Sequence, residues 1–74
     1  MNGIKVYTVE ALEKRIVRAL KNAKYGLETR YLVEATNAEF SYRQFSEALG
    51  NLYEQGDVIY KEDLESYLLN KKEA

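Results

Sequence analysis

From Thr8 onward, apolar residues recur at three- and four-residue spacing. Leu12, Ile16, Ala19, Leu20 and Ala23 form one stripe, the pattern of an amphipathic helix. Thr8 is placed to cap its start, Tyr7 stands where a hydrophobic staple onto Leu12 would begin, and Glu10 falls in the first turn. Lys21, Lys24 and then Gly26 predict the stop, which gives a first helix over about 8–24. Ile4–Tyr7 ahead of it reads either as a short strand or as an ordered lead-in. A shorter second helix, about 28–36, carries Tyr31, Leu32 and Ala35 as its apolar stripe. Residues 36–39 read as a turn.

Ser41-Tyr42-Arg43-Gln44 matches a capping box, and Phe40 and Phe45 occupy the two positions of a hydrophobic staple. Two independent start devices at one residue predict a third helix over about 42–55, with Phe45, Ala48, Leu49, Leu52 and Tyr53 inward and Gly56 as the stop. Gly50 inside it costs about 1 kcal/mol against alanine. Either it admits a neighbouring backbone, or it lies on the exposed face.

Beyond Gly56, Asp57–Lys61 and Ser66–Leu69 are rich in strand formers, with Glu62-Asp63-Leu64-Glu65 as the turn of a hairpin over 57–69. A competing pattern runs through residues 63–72: Leu64, Tyr67, Leu68 and Lys71 follow helical spacing, and Asp63 could cap a fourth helix. Residues 70–74 read as a tail.

The order helix, short helix, capped helix, hairpin resembles the winged helix-turn-helix family. The resemblance rests on Leu32 and Ala35 in the second helix, the Ser41-capped third helix, and the run Ala48-Leu49-Gly50-Asn51-Leu52-Tyr53-Glu54-Gln55-Gly56-Asp57-Val58-Ile59. That run places two leucines three apart, then a glycine, then an aliphatic first wing strand; Tyr60–Leu69 is similar to a wing. The resemblance covers residues 8–69. It implies a mainly α fold with a small β-hairpin, three helices plus a wing, as a single domain over 1–74. It also implies a small DNA-binding transcription regulator with the third helix in the major groove, acting as a dimer. Carried over, the reading face is Arg43, Glu47, Gly50 and Glu54, flanked by Gln44, Ser46 and Asn51. Arg43 would pair with guanine, Gln44 or Asn51 with adenine, and Glu47 with a cytosine amino group. Ser41 at the helix start would hold a phosphate. Arg30 and Lys24 would extend a positive strip toward Arg43, and Lys61 would offset the wing tip.

Charge pulls the other way. The 74 residues carry a formal charge of −1, whereas a dedicated DNA binder is usually basic. Residues 1–37 hold seven Lys/Arg against four Glu, and residues 38–74 hold four against eight acids. The presumed reading helix and wing therefore lie in the acidic half. Lys14, Arg18 and Lys21, with Arg15 at their flank, form a basic stripe on the first helix instead, readable as a solvated face or as a phosphate-binding strip. The asymmetry supports a second reading: a winged-helix protein-interaction module, or accessory subunit, docking through its acidic third helix and wing.

Composition closes several classes. One domain fits this length. With Cys 0 and His 0, disulfides, ordinary zinc fingers and Ser–His–Asp or Cys–His nucleophilic sites are excluded. The four glycines are isolated, so there is no phosphate loop. Glu62, Asp63 and Glu65 lack the spacing of a calcium loop. The expectation is a non-enzymatic chain without cofactor or metal. No apolar run nears the roughly 18 residues of a membrane span, and the N-terminus lacks a signal-peptide stretch, which predicts a cytoplasmic location. Absence of Cys, His and Trp with many Lys and Glu fits a thermophile. Seven tyrosines are spread over every element; most are expected in the core with hydroxyls reaching water, the others at an interface. The segments offered for dimerisation are Ile4–Tyr7, Val17 and Leu68-Leu69.

Overall fold

In a computed structural model, which describes residues 4–5, 8–36 and 38–70, the elements run β1 (Ile4–Lys5), α1 (Val9–Lys21), α2 (Thr29–Thr36), β2 (Ala38–Glu39), α3 (Tyr42–Glu54), β3 (Val58–Lys61) and β4 (Ser66–Leu69). The chain is mainly helical, with an antiparallel hairpin after the third helix, a layout compatible with a winged helix-turn-helix. The Tyr7 staple and the tail from Lys71 lie outside the described residues, and the tail up to Asn70 continues the hairpin.

Each helix boundary has a local cause. Thr8 accepts from the Ala11 amide at 3.1 Å and starts α1. The helix ends at Lys21, three residues earlier than its apolar stripe predicts. There the Asn22 amide reaches back to the Ala19 carbonyl and the Ala23 amide to Leu20, while Asn22 Nδ2 donates to the Arg18 carbonyl. These bonds tighten the last turn and draw off the carbonyls that further helix would need. At α3 both halves of the capping box form, Ser41 Oγ accepting from the Gln44 amide and Gln44 Oε1 from the Ser41 amide, each at 3.1 Å. The Phe40 and Phe45 rings stack at 5.4 Å as the staple requires. The other end closes in a Schellman motif: Gly56 at φ +83° donates to Tyr53 and Asp57 donates to Leu52.

The core joins Leu12, Ile16 and Leu20 of α1, Leu32 of α2, Phe45, Ala48, Leu49 and Leu52 of α3, and Val58 of β3. Three residues expected inward, Tyr31, Ala35 and Tyr53, are exposed instead. In α2 the buried partner of Leu32 is Thr36, whereas Tyr31 and Ala35 are exposed. A threonine can occupy that position because its hydroxyl donates to the Val33 carbonyl at 2.7 Å, so no polar atom is stranded. In α3, Tyr53 is 57% exposed, since the helical phase carries it past the edge of the stripe.

The segment 57–69 is a hairpin rather than a fourth helix, in the register Val58↔Leu69, Ile59↔Leu68, Tyr60↔Tyr67, Lys61↔Ser66. Residues 62–65 make its turn, with Glu65 at φ 51°. Leu27, between α1 and α2, bridges Tyr67 through reciprocal amide–carbonyl bonds of 2.9 and 2.8 Å. Gly26 permits this contact: it holds φ +84°, and an added Cβ would lie 2.5 Å from the Tyr67 carbonyl oxygen. Gly26 therefore serves the close approach of β4 and is not the stop of α1. Residues 36–39 hold more than a turn, because β2 pairs in parallel with β1. Of the segments offered for dimerisation, the Ile4–Lys5 backbone is paired within the chain, Val17 and Leu69 pack against the core, and Leu68 sits over Gly26.

Candidate functional site

The exposed surface of α3 divides into a ridge and two unlike flanks. Arg43, Glu47, Gly50 and Glu54 form the ridge, all exposed. On one flank Gln44 and Asn51 are both half-buried and both engaged. Gln44 Oε1 belongs to the capping box, and Asn51 Nδ2 donates to Glu13 Oε2 at 3.0 Å. The two candidate readers of adenine are thus turned away from the ridge, Asn51 acting as a tie between α3 and α1. Ser41 Oγ already accepts from a main-chain amide.

The other expected residues are dispersed. Ser46 stands on the flank facing the hairpin. Arg30, in the first turn of α2, places its guanidinium 4.9 Å from the centroid of the Tyr31 ring and donates to the Tyr31 hydroxyl at 3.2 Å. Lys61 is exposed at the last pair of the hairpin, opposite Ser66. Arg15 is not the flank of a free basic stripe, because it donates to the Thr36 carbonyl. Lys14, Arg18 and Lys21 remain exposed on α1, interleaved with Glu10, Glu13 and Asp57 along a shallow groove of mixed charge.

Between α3 and the hairpin lies a groove of different character, about 480 Å³, lined by Thr29, Tyr42, Phe45, Ser46, Leu49, Gly50, Tyr53, Tyr60 and Tyr67. None of these side chains is charged. Phe45 and Leu49 are core residues at its base, while Tyr42, Tyr53 and Tyr60 are 82%, 57% and 42% exposed. Tyr60 and Tyr67, directly paired across the strands, stand with ring centroids 4.9 Å apart and planes inclined by 57°. Burial raises the Tyr67 phenol above the ordinary tyrosine value, and the neighbouring phenols of Tyr60, Tyr53 and Tyr42 raise it further. Gly50, between the ridge and the flank facing the hairpin, leaves the helix side of the groove open: an added Cβ would find no atom within 4 Å. Of its two readings, the exposed-face one holds.

Five of the six described tyrosines are exposed, so core duty is not their main role. The signal for the groove is present in the third helix, where Tyr42, Ser46, Gly50 and Tyr53 follow at i, i+4, i+8 and i+11 along one flank. The facing wall, Tyr60 and Tyr67, comes from the hairpin register.

The charges around this groove are mainly negative. On the exposed positions of α3, β3 and the turn, Arg43 and Lys61 stand against Glu47, Glu54, Glu62, Asp63 and Glu65. Among the described residues no group of carboxylates is gathered closely enough to hold a metal ion, and no helix is long and apolar enough to cross a membrane. Comparison with protein-family models, curated proteins and solved structures gave no match.

Proposed function

We propose that the chain is a non-enzymatic protein-interaction module of winged-helix layout, a cytoplasmic accessory subunit that docks a partner through α3 and the hairpin. The observation that carries this reading is the uncharged, tyrosine-walled groove set in a face with five carboxylates and two cations. Exposed tyrosine around a concave surface is what protein interfaces enrich. The same carboxylates oppose a phosphate backbone, whose neutralisation dominates nucleic-acid affinity.

A second reading, duplex DNA bound by α3 in the major groove, has one observation in its favour. Arg43 is exposed on the ridge beside Glu47, with Ser46 on the adjoining flank. It would lack base contacts from Asn51, which is bonded to Glu13.

Panning a display library of random peptides on the chain, alongside titration with random-sequence duplex at about 50 mM salt, tests the two. The interaction reading expects selected peptides to shift the amide resonances of Ser46, Gly50 and Tyr53, with no duplex retained. Duplex binding that is lost on Arg43→Ala, with no peptide mapping to the groove, overturns it in favour of DNA.

A further inference from the structure

Resting on the interaction reading, we infer that the occupant of the tyrosine groove is a basic protein segment, one of whose lysine or arginine side chains lies over Gly50 among Tyr42, Tyr53, Tyr60 and Tyr67. Three features converge on a cation. The walls present phenol rings, whose faces carry the negative end of the ring quadrupole and attract ammonium or guanidinium groups. Their hydroxyls are acceptors for N–H donors, and no lining side chain brings a charge of its own. The surroundings supply the long-range complement: Glu47 and Glu54 lie on the ridge beside Gly50, and Glu62, Asp63 and Glu65 continue from the strand ends that carry Tyr60 and Tyr67.

Shape agrees with charge. A lysine or arginine stem is a narrow apolar rod, and the space above Gly50 is open, with no atom within 4 Å of an added Cβ, so such a stem can lie there without a clash. Phe45 and Leu49 give that stem an apolar floor. An acidic segment would meet five carboxylates against two cations, Arg43 and Lys61, and a phosphate backbone would meet the same net negative field. The protein already shows the pairing on its own surface, with Arg30 over the Tyr31 ring and Lys24 over the Tyr25 ring at 5.6 Å.

Gly50 supplies the decisive variant. Gly50→Leu projects a bulky side chain into the open space that the stem would occupy while replacing a poor helix former by a good one, so the thermal midpoint should rise by about 3–6 °C. The probes are three labelled peptides of equal length, rich in arginine and glycine, in lysine and glycine, or in glutamate and glycine, titrated at low salt and followed by amide shifts. The expected result is binding of the two basic peptides with shifts centred on Gly50. Gly50→Leu should weaken it by about tenfold or more, and Tyr53→Ala or Tyr42→Ala by about three- to thirtyfold. Basic peptides that bind Gly50→Leu as well as the parent chain, or that do not bind at all, overturn the inference. If panned peptides map to the groove but are acidic or uncharged, the basic occupant is overturned while the interaction module stands. If no peptide maps there and duplex is retained, both fall.

Discussion

The guanidinium of Arg15, midway along α1, donates to the main-chain carbonyl of Thr36, the last residue of α2, at 2.7 Å. A cation at a helix C-terminus meets both an unpaired carbonyl and the negative end of the helix dipole. Thr36 is 2% exposed, so that carbonyl has little access to water in exchange. Arg15→Ala should therefore lower stability by about 1.5–3 kcal/mol. Arg18→Ala, on the exposed face one helical step away, should stay within about 0.5 kcal/mol. Urea unfolding of the two variants measures the contrast.

Two glycines should respond to alanine in opposite directions. Gly26→Ala forces a side chain at φ +84° against the Tyr67 carbonyl and the Leu68 side chain, and should cost at least about 2 kcal/mol. Gly50→Ala meets open space in a helix and should gain about 0.5–1 kcal/mol. A midpoint that falls with Gly50→Ala, or rises with Gly26→Ala, would contradict the account of that glycine.

Glu65 holds a left-handed conformation, φ 51°, at the end of the hairpin turn. A side chain there is strained by about 1–2 kcal/mol. Glu65→Asn, which tolerates that region, should raise the thermal midpoint by a few degrees, about 4–8 °C per kcal/mol regained, and Glu65→Val should lower it.

Alkaline pH should weaken the fold through Tyr67. Its phenol is raised, first by burial and then by Tyr60, Tyr53 and Tyr42, so the native state holds its proton more tightly than the unfolded chain does. The resulting stability is present in full below pH of about 10, the unfolded value, and is lost as pH rises through the higher native value. Urea midpoints across this range should fall with pH, and Tyr67→Phe should flatten the fall.

Most of the fold was legible where one residue's neighbours in sequence decide its structure. Ser41, Gln44, Phe40, Phe45 and Gly56 set the ends of α3 through contacts within five residues, and each formed as expected. The segment of the hairpin carries two patterns, because Leu64, Tyr67 and Leu68 also suit a helix. The contacts favouring strands, Leu27 on Tyr67 and Val58 in the core, lie far away along the chain. Thr36 escaped a reading based on apolarity, since its local hydroxyl bond hides a polar atom inside a buried position. Of the two readings of Ile4–Tyr7 the short strand forms, as β1 at Ile4–Lys5, while its partner β2, two residues long, is too short to leave a periodic trace. Half of the groove could be read along α3, but its tyrosines face one another only once β3 and β4 are in register. Asn51 does flank the ridge, but its bond to Glu13 has no sequence signal because the two lie 38 residues apart.

The hairpin is fastened to the helical body midway along β4, where Leu27 bonds Tyr67, and is closed at its base by Asn70, which bonds the carbonyls of Gly56 and Asp57. The half of it that carries Tyr60 and Tyr67 is therefore a standing wall and not a flap. A visitor to the tyrosine side meets a surface already organised, so little backbone ordering opposes capture. Differences in affinity among ligands should then appear in how slowly they leave, with arrival rates nearly constant.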